Sequence, residues 1–129
     1  MIDNRRPHGR TIMTQFFALL ATHWLGDFVL QTHWQASNKG KRIDALIRHV
    51  AIYTAVLSVA SVLIFGARIG LVFFIIANCS AHFGTDFFTS RWSSRLWAKQ
   101  DWHNFFVVVG LDQFIHQITL GISMMVIFS

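Results

Sequence analysis

The stretch Ile69-Gly-Leu-Val-Phe-Phe-Ile-Ile-Ala-Asn78-Cys-Ser-Ala-His82-Phe-Gly-Thr-Asp86-Phe-Phe-Thr-Ser90 decides how this chain is read. A helix crossing the ~30 Å hydrocarbon core of a bilayer needs about 20 mostly apolar residues, and this run supplies them. It also carries a histidine and an aspartate one helical turn apart, groups that lipid tolerates only when they are partnered. Three further runs have similar length and character: Thr11–Gln31, Leu46–Gly66 and Phe105–Phe128. The only proline, Pro7, precedes all four, so no span carries a proline kink. Composition agrees, because 53% of residues are hydrophobic and only 13% are charged, about half the charge of a soluble domain. The single cysteine, Cys79, excludes a disulfide scaffold and a multi-cysteine zinc motif. The net charge of +5 is spread in short basic clusters between apolar runs. That is the pattern of membrane loops, and it argues against a nucleic-acid partner.

The sequence therefore predicts an all-α, integral membrane four-helix bundle over residues 13–129, in contact with the lipid bilayer and preceded by a basic tail, residues 1–12. The first apolar run has no small-residue cleavage site, so it does not read as a cleavable signal peptide. The link Gly66-Ala-Arg68-Ile-Gly70 is short, which makes the second and third spans a tight antiparallel hairpin. The other connections, residues 33–45 and 91–104, are longer. Seven Lys/Arg lie on the side of those long loops against four on the side of the termini, which predicts long loops in the cytoplasm. Trp92, Trp97 and Trp102 alternate with Arg91, Arg95 and Lys99 in the second loop, a composition that favours the headgroup level.

Ionisable residues recur on the spans with helical spacing. His23, Asp27 and Gln31 follow one another at i, i+4 and i+8, as do Asn78, His82 and Asp86. Asp112 and His116 form a third pair, with Thr119 and Ser123 continuing their face, and His49 with Tyr53 contributes from the second span. In an up-and-down bundle, these positions fall in one layer near the long loops. Each aspartate near a span centre costs about 2.5–3.5 kcal/mol on the insertion scale, which a bundle stable by only about 5–15 kcal/mol cannot absorb unpartnered. Imidazole and carboxylate are ordinary ligands of zinc, manganese and iron, and helix-borne sets of them build metal centres in bundle cores. The expected ligands are His23, Asp27, His49, His82, Asp86, Asp112 and His116. Gln31, Tyr53, Asn78 and Gln113 are placed to orient ligands, water or substrate. Two divalent transition-metal ions with a bridging hydroxide would balance the three aspartates, and one ion would leave the site negative. His8, His33 and His103 fall in the tail and loops and read as solvated or interfacial.

His23-Trp-Leu-Gly-Asp27-Phe28 and His82-Phe-Gly-Thr-Asp86-Phe87 share the pattern His-x-x-x-Asp-Phe, each followed by a tryptophan, Trp34 and Trp92, and a basic stretch. The expectation is a parallel duplication of two helical hairpins.

The string Thr22-His23-Trp-Leu-Gly26-Asp27-Phe28-Val-Leu30-Gln31-Thr-His-Trp34, with Lys39 after it, resembles the opening signature of a family of small bacterial and phage membrane proteins. That family is a domain of unknown function, number thirty-three-zero-seven. His49 with Tyr53, His82-x-x-x-Asp86 with Arg91, and Asp112-Gln113-x-x-His116 with Thr119-Leu120 are similar to its later landmarks, in order. The resemblance covers residue 14 to the C-terminus. It implies a multi-pass protein of the bacterial inner membrane and supplies no activity. A weaker similarity in architecture and His/Asp content points toward small membrane-bound metal-dependent hydrolases.

Three functions compete at this level. The first is a metalloenzyme that hydrolyses a lipid-embedded or cytoplasmic ester or phosphoester. Its chain has no glutamate for a general base and no pattern that marks a substrate pocket. The second is an ion or proton carrier, for which the opposite half of the spans offers few polar residues. The third is a non-enzymatic effector that binds another membrane protein or a second copy of itself, with the His/Asp cluster as a structural clasp.

Overall fold

The computed structural model describes residues 8–129, with side chains from Thr11 onward. α1 (His8–Trp24) runs into a π-helical turn (Leu25–Val29), followed by α2 (His33–Asn38), α3 (Ile43–Phe65), α4 (Gly70–Ala98) and α5 (Trp102–Phe128). There are thus five helices among the described residues and not four. The additional one, α2, lies in what reads as a loop, and a capping box nucleates it. Thr32 accepts from the Gln35 backbone N–H, and the Gln35 side chain accepts from the Thr32 N–H, which satisfies two otherwise orphaned donors.

A second correction concerns the segment after Ser90. α4 continues to Ala98, so the expected loop over residues 91–104 shrinks to three residues, 99–101. Nothing in Arg91-Trp-Ser-Ser-Arg-Leu-Trp-Ala breaks a helix. The turn comes where Gln100 adopts a φ of 58°. Asp101 then caps α5 by accepting from Asn104. The Asn104 side chain also holds the Asp101 carboxyl below the usual carboxylate range.

α3, α4 and α5 are long and apolar enough to cross a membrane. α1, which covers 17 residues before the helix continues into the π turn, is not among them. The extra residue of that turn, closed by Leu30 N–H donating to the Leu25 carbonyl at 2.9 Å, also breaks the regular stripe expected from His23 through Gln31.

α1 packs on α3, α3 on α4, and α4 on α5, while α5 returns to α1 along the thinnest seam. Gly66 closes the α3–α4 hairpin with a φ of 75°, a conformation that side chains rarely adopt. The half of the bundle at that hairpin is apolar, packed from Leu19, Leu57, Phe65, Phe74, Leu120 and Met124. Around it the exterior is apolar too, with Phe17, Leu63, Phe73, Phe88 and Val126 exposed. Among the described residues, twelve buried hydrophobics are matched by twelve buried polar or charged residues. An apolar outside over a half-polar inside is the reverse of a soluble domain.

The backbone does not support two repeated hairpins. The first His-x-x-x-Asp string straddles α1 and the π turn, whereas the second lies inside the unbroken 29 residues of α4.

Candidate metal centre

α1, the π turn, α3, α4 and α5 bring seven ionisable residues to one buried cluster. His23 comes from the last turn of α1, and Asp27 comes from the π turn. His49 sits in the second turn of α3, His82 and Asp86 lie in mid-α4, and Asp112 and His116 come from α5. All seven are buried, six of them no more than 3% exposed and Asp112 9%.

His49 Nε2, His82 Nε2, Asp27 and Asp86 each turn an atom inward, all within 4.8 Å of one another. His49 Nε2 lies 2.9 Å from Asp27 Oδ1, 3.2 Å from His82 Nε2 and 3.3 Å from Asp86 Oδ2. His82 Nε2 lies 3.3 Å from Asp27 Oδ1 and 3.7 Å from Asp86 Oδ2. A tetrahedral ion with bonds of about 2.0–2.1 Å sets its ligand atoms about 3.3 Å apart, and these distances bracket that edge. The His82 ring is held between Tyr53 and His116, stacked at centroid distances of 3.9 and 4.1 Å. Its Nε2 is thereby aimed without help from a hydrogen bond at Nδ1.

Two three-residue sets adjoin this one, His23–Asp27–His116 and Asp86–Asp112–His116. His116 Nε2 stands 3.6 Å from Asp86 Oδ1, and its Nδ1 stands 3.5 Å from Asp112 Oδ2. Both His116 nitrogens, Asp86 Oδ1, and Nδ1 of His49 and of His82 are buried without a hydrogen bond. Buried polar atoms are rarely left so, and five in one cluster leave room for a further partner. The donor set is one that a divalent transition metal accepts.

Around the cluster, Gln113 bridges three residues. Its Nε2 donates to Asp27 Oδ2 at 2.8 Å and to Asp112 Oδ2 at 3.0 Å, while its Oε1 lies 2.9 Å from His23 Nε2. Tyr53 OH meets His23 Nδ1 at 3.2 Å. Asn78 stands apart, donating to the Phe74 carbonyl and to Ser123 Oγ, each at 2.9 Å, where it ties α4 to α5. Gln31 lies on the wall of an adjoining cavity, with its Oε1 buried and unpartnered. His33 and His103 are exposed, and His8 lies outside the described side chains.

Sequence reasoning missed Lys39. Counted as a loop charge, it follows α2 and reaches inward, its Nζ donating to Asp86 Oδ2 at 2.9 Å and lying 3.4 Å from His49 Nε2. Burial works against its charge, but Asp86 and then Asp27 outweigh that and hold its pKa above the ordinary lysine value. Thr89, also missed, donates to Asp112 Oδ1. The i, i+3 spacing of Thr89 to Asp86 on α4 could have signalled it, whereas nothing local marks Lys39. With Lys39 included, three aspartates leave a charge of −2, so one divalent ion makes the cluster neutral where two had been needed.

A cavity of about 570 Å³ opens beside the cluster, with Asp27, Asp86, Asp112 and Gln113 on its floor. No pattern in the sequence marks this pocket. Part of its wall comes from α2 and from the extension of α4, the two helical segments that the sequence reading took for loops.

A family model described as "protein of unknown function (DUF3307)" matches residues 15–129. No curated protein and no solved structure matches the chain.

Proposed function

This chain belongs to the DUF3307 family of proteins of unknown function, and from that premise we propose that it is a multi-pass membrane protein whose bundle holds one divalent transition-metal ion. Asp27, His49, His82 and Asp86 are the ligands in this reading. His23, Asp112 and His116 flank them, and Gln113, Tyr53 and Thr89 fix their orientation. The observation that carries it is the convergence of four buried ligand atoms from the π turn, α3 and α4, at separations that suit a tetrahedral ion. In the same reading the protein lies in the inner membrane, with α2 and the α4–α5 turn on the cytoplasmic side.

The reaction class that such a site supports best is hydrolysis of an ester or phosphoester entering from the cavity. A divalent ion supplies Lewis acidity toward water or a substrate oxygen. The chain supplies carboxylates held by Gln113 and Thr89, a lysine beside the reacting centre, and an apolar seal on the far side. That seal, the Leu57, Phe74 and Leu120 core, argues against a continuous polar path and so against a carrier.

Elemental analysis of the detergent-purified protein tests the reading. About one equivalent of zinc, manganese or iron per chain is expected, falling to background in Asp27→Asn and in His49→Ala, which should still insert and elute as monodisperse species. A folded wild-type protein that neither retains nor rebinds metal would overturn it.

A further inference from the structure

Besides the three carboxylates of the centre, no acidic residue lines the cavity, whereas Lys39, Lys41 and His33 do. Phe28, Trp97, Phe105, Val108 and Val109 make up an apolar wall. Phe28 comes from the π turn, Trp97 from the end of α4 and the other three from the start of α5, close to the seam where α1 and α5 pack most thinly. Trp97 and Trp102, more than two-fifths exposed and stacked edge to face at 4.8 Å, mark the same level, where tryptophan sits at the headgroups of a bilayer. Two lysines and an apolar wall beside a thinly packed seam describe a site for an amphiphile with an anionic head. Its volume lies within the usual range for small-molecule sites.

We propose that this cavity binds a phosphorylated lipid, with the phosphate against Lys39 and Lys41 beside the metal centre and the chain laid along Phe28, Phe105 and Val109. Lys39 is the residue that links the two sites. Its ammonium is held by Asp86, and an ion that takes the Asp86 carboxylate frees it to face the phosphate. This step and the balance of charge in the cavity rest on the metal-centre reading, while its shape and apolar wall do not. Phosphate is favoured over a carboxylate head because it accepts from two lysines and a ring N–H together.

The test is lipid retention by the purified full chain in micelles doped with phosphatidic acid or phosphatidylcholine, read by native mass spectrometry, with metal content measured on the same samples. Wild type should retain phosphatidic acid about tenfold more strongly than phosphatidylcholine, the worth of one or two hydrogen bonds to a charged group. Val109→Trp, which fills the cavity one helical turn from Asp112 without replacing a ligand, should abolish that preference at unchanged metal content. The exposed Lys41→Gln should weaken it severalfold and is the readout if Val109→Trp fails to fold. Equal retention of both lipids by metal-loaded wild type would overturn the proposal and leave the metal reading intact. A preference that survives in both variants would overturn it as well. Inorganic phosphate alone should not displace the lipid, and if it protects the protein against heat as well as the lipid does, the site is one for free phosphate and the lipid assignment falls. A retained preference in metal-free protein would uphold the cavity and count against the metal.

Discussion

Asp86 presents one oxygen to Lys39 and His49 and turns the other toward His116, so it belongs to two of the three sets that could hold an ion among the described residues. At this scale the site is a balance of charges in a medium that does not screen them. Lys39 is the in-built cation, and a metal ion is the alternative partner for the same carboxylate. Lys39→Met should therefore destabilise metal-free protein by about 3 kcal/mol, the lower end of the cost of breaking a buried pair. The metal-loaded protein should lose less than about 1 kcal/mol, since the ion then neutralises Asp86. Thermal melts with and without chelator measure the difference, and equal losses in the two states would show that lysine and metal do not share Asp86.

Among the elements, the connection from α2 to α3 does the positioning. Gly40 lets that connection lie against α4, because a Cβ at this position would overlap the Ser94 hydroxyl and the Ser90 carbonyl. Ser90 Oγ, which donates to the Asp86 carbonyl, lies 3.4 Å from the Lys39 carbonyl. Gly40→Ala should push the connection outward, withdraw Lys39 from Asp86, and lower the melting temperature of the metal-free protein as Lys39→Met does. Adding Ser94→Ala should not rescue it, since the backbone carbonyl of Ser90 remains in the way. Full rescue would place the strain in the serine side chain alone. The extension of α4 to Ala98 belongs to the same account, for without it Ser93, Ser94 and Trp97 would have no helix from which to line the cavity.

At the scale of the whole molecule, the polar centre lies toward one end and an aromatic and aliphatic core fills the other, an asymmetry that gives the bundle a direction across the bilayer. Lys39, Lys41, Arg42, Arg48, Arg91, Arg95 and Lys99 lie toward the polar end, against Arg68 at the other among the described side chains, so the polar end should face the cytoplasm. In a Cys79→Ser background, cysteines at Asn38 and Gln100 should resist a membrane-impermeant maleimide in intact cells. A cysteine at Ser129 should react. The opposite pattern would reverse the orientation. Labelling at all three positions would mean that the helices do not span.

Apolar length and the spacing of His and Asp, both local properties, determined the helical class, the buried polar layer and the family. His23, Asp27, His49, His82, Asp86, Asp112 and His116 were legible because a charged group in an apolar run has to find a partner, whatever the fold. Gln113 and Tyr53 were legible for the same reason, as neighbours on those faces. Two features that the sequence mispredicted, the five helices and the length of α4, turn on capping and on the absence of breakers, which weigh less than hydropathy when loops are assigned by polarity. The role of Lys39 was decided only in three dimensions. A lysine that is ten residues from His49 and 47 from Asp86 looks like any loop charge until the chain folds. What brings it inward is the close approach of the Gly40 connection to α4, and that approach depends on packing between elements distant in sequence.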